Sequence, residues 1–309
     1  MQAEQHDRAP LWVVTGPTAS GKTALSVELA ERTGREILSM DSMAVYRRMD
    51  IGTAKPTAEE RARVPHHLVD VVEPNETFDT ARWCRLADDK LTELRERGKR
   101  ALFVGGTPLY LMAFFKGLMD APEAQPELRA SLEQRERDEP GTLHEELTRR
   151  DPVSAERIHR RDVRRLVRAL EVLELTGRTI SSQQEQFEQQ GWLRDCRVVM
   201  ISRPRDELHE RVKLRTEQML AEGLVDETDA IERDTGFSKT AGAAIGYAEC
   251  RDFLRGRYKD RTELRNRIRR NTHKLIRRQM TWLRRLPEVV PMRPEEGVDE
   301  LQRLLESVQ

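Results

Sequence analysis

Cysteine is scarce in this chain: Cys84, Cys196 and Cys250 are the only three in 309 residues, and no C-x-x-C pair occurs. That argues against a disulfide framework and a zinc ribbon, fits a reducing compartment, and leaves the thiols as small buried residues. No apolar run reaches the ~18 residues of a membrane span. The polar start, Met1 to Pro10, carries Glu4, Asp7 and Arg8 and lacks the basic and then apolar pattern of a secretion signal. A cytoplasmic protein without membrane contact is expected. Net charge is absent as well, with 54 basic side chains against 54 acidic ones. That balance argues against a uniformly basic nucleic-acid binder and moves the question to local patches. No internal repeat or low-complexity tract occurs, and nothing calls for an obligate protein partner, so a monomer is expected.

What is present alternates. Leu11–Thr15, Glu36–Met40 and Ala101–Val104 are short apolar runs that read as strands, with Leu68–Val72 as a further candidate. Ala24–Thr33 and Ala81–Arg97 carry apolar residues at helical spacing, and Gly98 ends the second helix. Strands separated by helices of this length predict an α/β fold, a parallel sheet covered on both faces. From about Asp120 prolines and charged residues replace the strand-like runs, until Cys196–Ser202 restores them. The predicted organisation is a P-loop NTPase-like core made of 1–119 and 195–309, with a mainly helical insertion at 120–194. Helices are expected at Glu207–Leu220, Gly246–Leu254 and Thr262–Leu286.

Gly16-Pro17-Thr18-Ala19-Ser20-Gly21-Lys22-Thr23 satisfies G-x-x-x-x-G-K-[ST], with a strand before it and a helix after it. Such a loop turns backbone N–H groups around a phosphate at a helix N-terminus. Lys22 adds a mobile charge, and the Thr23 hydroxyl can join the shell of a Mg²⁺ ion. The motif indicates polyphosphate without saying which one. Many nucleoside triphosphatases add an aspartate after a strand to hold the metal, yet Ala101–Val104 runs into Gly105-Gly106-Thr107 without a carboxylate. Asp70 is a weak substitute. The better carboxylate is Asp41, after Glu36–Met40, which can serve as a metal ligand, as a base, or as a cap on the turn that follows. In open parallel sheets ligands bind beyond the carboxyl ends of the strands. The P-loop, Asp41 and Gly105–Thr107 should therefore converge on one edge.

Basic residues cluster twice. Arg257–Arg285 holds twelve Lys and Arg against two acidic residues, with Trp282 among them, and a smaller group around Arg164 and Arg165 lies in the insertion. Charge runs usually decorate solvated helix faces, but these two also suit an RNA backbone. His66-His67 has no cysteine nearby, and adjacent residues do not share a face, so a structural role is expected. Trp83, Leu86 and Leu91–Leu94 read as core. Gly246-Tyr247 reads as a helix–sheet contact or a tight approach rather than as chemistry.

Taken together the blocks resemble the tRNA dimethylallyltransferase family. They are GPTASGKT, DSMAVYRRMDIGTAKP from Asp41, VPHHLVD, VGGTPLYL, RALEVLELTGR from Arg168, Arg215-Thr216 with Met219-Leu220 and Gly223-Leu224, AIGYAE from Ala244, and RQMTW from Arg278. The resemblance implies that the P-loop residues Gly16, Thr18, Ala19, Ser20, Gly21, Lys22 and Thr23 hold the pyrophosphate of dimethylallyl diphosphate rather than ATP. It further implies a helical insertion that grips a tRNA anticodon stem-loop, and an acceptor that is the N6 amine of the adenine 3′ of the anticodon. By matching positions Asp41 would be the base, Thr23 would bind Mg²⁺ and diphosphate, and Arg215, with Lys22, would stabilise the leaving pyrophosphate. Thr107 and the block Asp41, Ser42, Met43 and Ala44 would meet the base, and Arg164, Arg165, Arg168 and Arg278 would meet the RNA. Two positions depart from the family pattern. Ala44 stands where glutamine is usual, so its side chain cannot hydrogen-bond a base, and Pro108 stands where glycine is common.

Three other readings compete. A P-loop kinase of small metabolites would consume ATP, and a prenyltransferase of free adenine nucleotides would need no RNA. Both leave the basic segment near the C-terminus without a use. A non-catalytic nucleotide-dependent RNA-binding protein leaves Asp41 and the Gly105–Thr107 turn without one.

Overall fold

The central strand β1, Leu11–Thr15, is flanked on both sides by other strands, which is what a five-residue run of almost wholly buried side chains requires. In the computed structural model, which describes residues 9–117, 122, 124–183 and 191–307, the remaining strands are β2 (Glu36–Ser39), β3 (His66–His67), β4 (Ala101–Gly105), β5 (Cys196–Ile201) and β6 (Val289–Met292). They form one sheet in the order β3-β2-β4-β1-β5-β6, and every pairing is parallel. β1 pairs with β4 from Trp12 opposite Leu102 to Thr15 opposite Gly105, and with β5 from Leu11 opposite Cys196. That register carries the ends of β1, β2 and β4 to one edge. The α/β class expected from the alternation is the observed one.

Two units divide the chain, 1–115 with 194–309, and 116–193, so the boundaries lie a few residues from the expected 120 and 194. In the first unit α1 (Lys22–Thr33), α2 (Ala58–Arg63), α3 (Thr80–Glu96) and α4 (Pro108–Phe115) connect the early strands. After β5 come α9 (Arg205–Ala221), α10 (Leu224–Asp234), α11 (Tyr247–Leu254), α12 (Arg261–Leu283) and α13 (Gly297–Glu306). Apolar side chains from α1, α13 and the sheet, among them Leu29, Val14, Ile201 and Leu301, fill one core layer. Trp83 on α3 is fully buried, stacks on Tyr110 at 4.4 Å and donates from Nε1 to the Ser39 carbonyl at 3.1 Å. It is core, as its spacing predicted.

The candidate strand at Leu68–Val72 does not form. Leu68 and Asp70 adopt positive φ, 61° and 56°, which breaks an extended run, and Val72 keeps a single bridge to Tyr46. The strand beside β2 is His66–His67 instead. His66 Nδ1 lies 2.7 Å from the Val64 carbonyl and His67 Nε2 lies 2.6 Å from Glu36, so both rings have structural partners. Asp70 is also committed, to Lys55 at 2.5 Å and Arg61 at 2.7 Å. Of the three free thiols Cys84 and Cys250 are buried and Cys196 is half-buried.

The second unit consists of α5 (Pro126–Asp138), α6 (Thr142–Arg150), α7 (Pro152–Arg157) and α8 (Val163–Thr176) around Leu132, Leu143, Leu147, Leu166 and Leu170. Within that core the fully buried Glu171 carboxylate receives Arg129 at 2.8 Å, Arg168 at 2.5 Å and the Gln125 amide at 2.8 Å. Burial alone would raise its pKa, but those donors outweigh it and bring it from 4.5 down to about 2. A depressed carboxylate contributes stability that is present above its unfolded pKa and is lost as pH falls toward the folded one. Glu171→Gln should destabilise the unit by ~2 kcal/mol at pH 7, less than a fully buried pair because both arginines keep solvent access. Urea unfolding from pH 7 to pH 3 checks this: the gap between the two proteins should narrow toward acid.

Candidate active site

The first wall is the P-loop. Gly16, Ala19 and Gly21 have positive φ, 145°, 64° and 91°, so the chain curls between β1 and α1 as an anion-binding turn needs. Its outward carbonyls are held from behind: Arg211 Nε donates to Ala19 at 2.7 Å and Arg203 Nε to Ser20 at 3.0 Å.

The second wall is made where β2 and β4 end. A Cβ at Gly105 would land on the Met40 carbonyl, so only glycine lets the two strand ends approach this closely. Beyond that contact the Thr107 amide donates to the Met40 carbonyl at 3.2 Å, and the Ser42 amide donates to Thr107 Oγ1 at 3.1 Å. Asp41 Oδ1 accepts from the amides of Met43 at 2.8 Å and Ala44 at 3.3 Å. One carboxylate oxygen thus caps the turn, while Oδ2 has no hydrogen bond among the described residues. The capping and chemical readings of Asp41 are compatible because they use different oxygens.

These walls enclose a cavity of ≈ 380 Å³ within the first unit. Thr18, Lys22, Thr23, Asp41, Ser42, Met43, Ala44, Thr107, Arg215 and Arg278 all line it. A wider basin of ≈ 1090 Å³ reaches Ala19, Gly21 and Arg211 and shares Lys22, Thr23 and Arg215 with the first cavity. Gly16 and Ser20 line neither space. Ala44 is buried and offers the cavity a methyl group. Arg164 and Arg165 are exposed on α8 in the other unit, whereas Arg168 is bound to Glu171 and to the Pro122 carbonyl.

The charges are unbalanced. Burial lowers the Lys22 ammonium to about 8, Asp41 opposes that shift and Arg215 adds to it. Arg215 is lowered by burial in the same way, with Asp41 opposing and Arg211 adding. Among the described residues neither cation has a carboxylate at salt-bridge distance. Arg215 donates to the Thr53 carbonyl at 3.4 Å. Two half-buried cations without a carboxylate partner, set at a P-loop, are what an anion site needs. Beside that site stand a carboxylate oxygen and the Thr107 hydroxyl.

Two contributions were not read from the sequence. Tyr247 donates to Glu227 at 2.6 Å and accepts from the Gly52 amide at 3.1 Å, and Glu227 also accepts from the amides of Asp50 and Ile51. This bracket holds the loop that carries the Thr53 carbonyl, so of the two contacts expected of Gly246-Tyr247 the one made here is a close approach to a loop rather than a helix–sheet contact. Gln279 is the other: it is buried beside the exposed Arg278 and reaches both walls of the cavity. A polar residue within a basic helix carries no local signal of such a contact.

Relatives match this chain nearly end to end. The family model for IPP transferase matches residues 44–286, and that for isopentenyl transferase matches residues 9–70. A tRNA dimethylallyltransferase of Geobacter sulfurreducens is 43% identical over 285 residues, covering 91% of each chain. One from Anaeromyxobacter dehalogenans is 44% identical over 96% of this chain and 99% of its own. The crystal structure of full-length tRNA isopentenylpyrophosphate transferase from Bacillus halodurans superposes with a TM-score of 0.66 at 35% identity, covering 96% of this chain and 99% of that one. A eukaryotic dimethylallyltransferase acting on tRNA gives a TM-score of 0.75 at 25% identity, covering 92% and 74%. With a P-loop, an aspartate and an arginine around one cavity and this similarity along the whole chain, the protein belongs to the tRNA dimethylallyltransferase family of prenyltransferases.

Proposed function

We propose that this chain transfers the dimethylallyl group of dimethylallyl diphosphate to the N6 amine of the adenine immediately 3′ of the anticodon in tRNA, and releases pyrophosphate. The observation that carries the reading is the shared cavity: two half-buried cations, Lys22 and Arg215, line it with the P-loop residues Thr18 and Thr23, and Asp41 and Thr107 line it from the other wall. In the reaction the N6 lone pair forms a bond to the allylic carbon, and the carbon–oxygen bond breaks with its electron pair leaving on pyrophosphate. The amine proton passes to Asp41 Oδ2. Lys22 and Arg215 neutralise the charge that develops on the leaving oxygen, where fixed cations in a dry site have their largest effect. Thr107 would orient the base.

Mg²⁺ fits this donor set. Thr23 lines the cavity, and no cluster of three or more His, Cys, Asp or Glu occurs among the described residues. Mg²⁺ commonly keeps its waters and takes one or two protein oxygens together with substrate phosphates. Thr23 would hold the ion, and when bound it would supply further charge neutralisation on the diphosphate.

The RNA side has a matching surface. Arg270, Lys274, Arg277, Arg284 and Arg285 are exposed along and just beyond α12, with no acidic partner among the described residues, and Trp282 is 51% exposed. Such a stripe suits a phosphate backbone. Arg164 and Arg165 offer a second basic patch on the helical unit. A cytoplasmic setting follows from the substrate, and no helix among the described residues is long and apolar enough to cross a membrane.

The decisive experiment incubates the protein with unmodified tRNA, Mg²⁺ and dimethylallyl diphosphate, digests the RNA and looks by mass spectrometry for prenylated adenosine. ATP consumption with phosphorylation of a small acceptor and no prenylated base would overturn the reading. A pH profile tests the cation. In the free enzyme Lys22 is protonated below about 8 and neutral above it, so kcat/KM for the diphosphate should decline above that pH. Lys22→Arg, which stays charged, should remove the decline.

A further inference from the structure

Gln279 lies on α12 among residues whose charge suits RNA, yet it is buried, 8% exposed, and its amide faces the reaction cavity. Oε1 accepts from the Thr18 amide of the P-loop at 3.0 Å. Nε2 donates to the Gly106 carbonyl, at the turn that presents Thr107, at 2.6 Å. A Cβ at Gly106 would lie 2.8 Å from Gln279 Nε2, 2.8 Å from the Gly16 carbonyl and 3.6 Å from Lys22 Nζ. The side-chain amide therefore fills the seam between the two walls, with no room for another group.

Two properties make glutamine suited to that seam. It offers one acceptor and one donor on a planar group, and the two walls present one donor, Thr18 N–H, and one acceptor, Gly106 C=O. It is also neutral, so it leaves the field of Lys22 and Arg215 to the diphosphate. The P-loop holds three positive φ values near this contact, and such a loop keeps its shape only when its surroundings determine it. We propose that Gln279 is a positioning residue that holds the diphosphate cradle and the Thr107 turn at the spacing the transfer requires. The inference rests on the prenyl-transfer reading for its kinetic consequences, but its binding consequence is independent of that reading.

Gln279→Met keeps the volume and removes both hydrogen bonds. Its KM for dimethylallyl diphosphate should rise ~10-fold and its kcat fall ~10-fold, because small misplacements of reacting groups are costly. KM for tRNA should stay within about twofold, which a general loss of fold would not spare. Gln279→Glu gives a second readout. As a carboxylate it cannot donate to Gly106 and sets a negative charge beside the anion site, whereas the protonated acid can both donate and accept as glutamine does. Lys22 and Arg215 favour the ionised form, so its loss should match or exceed that of Gln279→Met across the whole range from pH 6 to pH 8. Calorimetric titration of parent and Gln279→Met with inorganic pyrophosphate and Mg²⁺ needs no turnover, and a ~10-fold weaker affinity is expected. Unchanged pyrophosphate affinity with unchanged kcat and diphosphate KM would overturn the proposal. So would equal losses for both substrates together with a lowered Tm. If the parent prenylates no tRNA the functional reading fails, and the pyrophosphate titration still decides the role of Gln279.

Discussion

Asp41→Asn is expected to lower the rate of prenyl transfer by ~10²–10⁴-fold, the range associated with loss of a positioned general base. The substitution is chosen for what it preserves. Asparagine keeps an oxygen in the place of Oδ1, where the amides of Met43 and Ala44 donate at 2.8 and 3.3 Å, so the turn after β2 stays capped. It places an NH₂ in the position of Oδ2, which cannot accept a proton. The loss should fall on kcat, with KM for dimethylallyl diphosphate changed by less than about threefold, since Lys22, Thr23 and Arg215 are untouched. Single-turnover prenylation of tRNA, followed by mass spectrometry of digested RNA, reads this directly. If Asp41→Asn kept parental single-turnover rates, Asp41 would be a turn cap and nothing more. Asp41→Ala removes both functions and should add a stability loss of ~1 kcal/mol, as lost caps do.

Arg215→Gln should cost ~10²–10³-fold in kcat/KM for the diphosphate, comparable to removing one preorganised donor from a site of developing charge. Arg215 is well placed for this effect because it is half-buried beside Lys22 and Asp41, and its hydrogen bond to the Thr53 carbonyl is long at 3.4 Å. A cation in that state is held for an anion that arrives later. Removing it relieves the desolvation of the guanidinium, the largest effect, and the repulsion with Lys22 and Arg211, which together outweigh the lost attraction to Asp41, so the folded protein should be no less stable than the parent, and thermal unfolding without ligand should show Tm unchanged or raised. Inorganic pyrophosphate, which raises the parent's Tm by mass action, should raise the variant's much less. A variant that lost Tm while binding pyrophosphate normally would make Arg215 a structural residue of the α9 contact.

Much of this was legible because it is local. A glycine-rich run between an apolar strand and an amphipathic helix specifies its own backbone, so Gly16–Thr23 is legible without any tertiary contact. The alternation of strands and helices dictates a parallel sheet, and a parallel sheet dictates that Asp41 and Gly105–Thr107 emerge on the edge where the P-loop does. The helical stretch between the two halves of the core announced itself by its lack of strand-like runs. Leu68–Val72 reads as a strand and is not one, because an apolar run cannot report left-handed φ at Leu68 and Asp70, nor that Asp70 is taken by Lys55 and Arg61.

The tertiary structure decided what depends on distance across the chain. The amide of Thr18 meets the side chain of Gln279 across 261 positions, and Gly106 meets it across 173. Arg168 and Arg165 look equivalent in a basic helix, yet one is drawn to a buried glutamate and the other faces solvent. Lys22 is an ordinary lysine in sequence, and burial in the cavity is what lowers it to about 8. Residue type and spacing determine the path of the backbone and which groups arrive at the sheet edge. Desolvation and hydrogen-bond pairing arise only when remote segments close around one another, so the charge state and alignment of those groups belong to the folded protein.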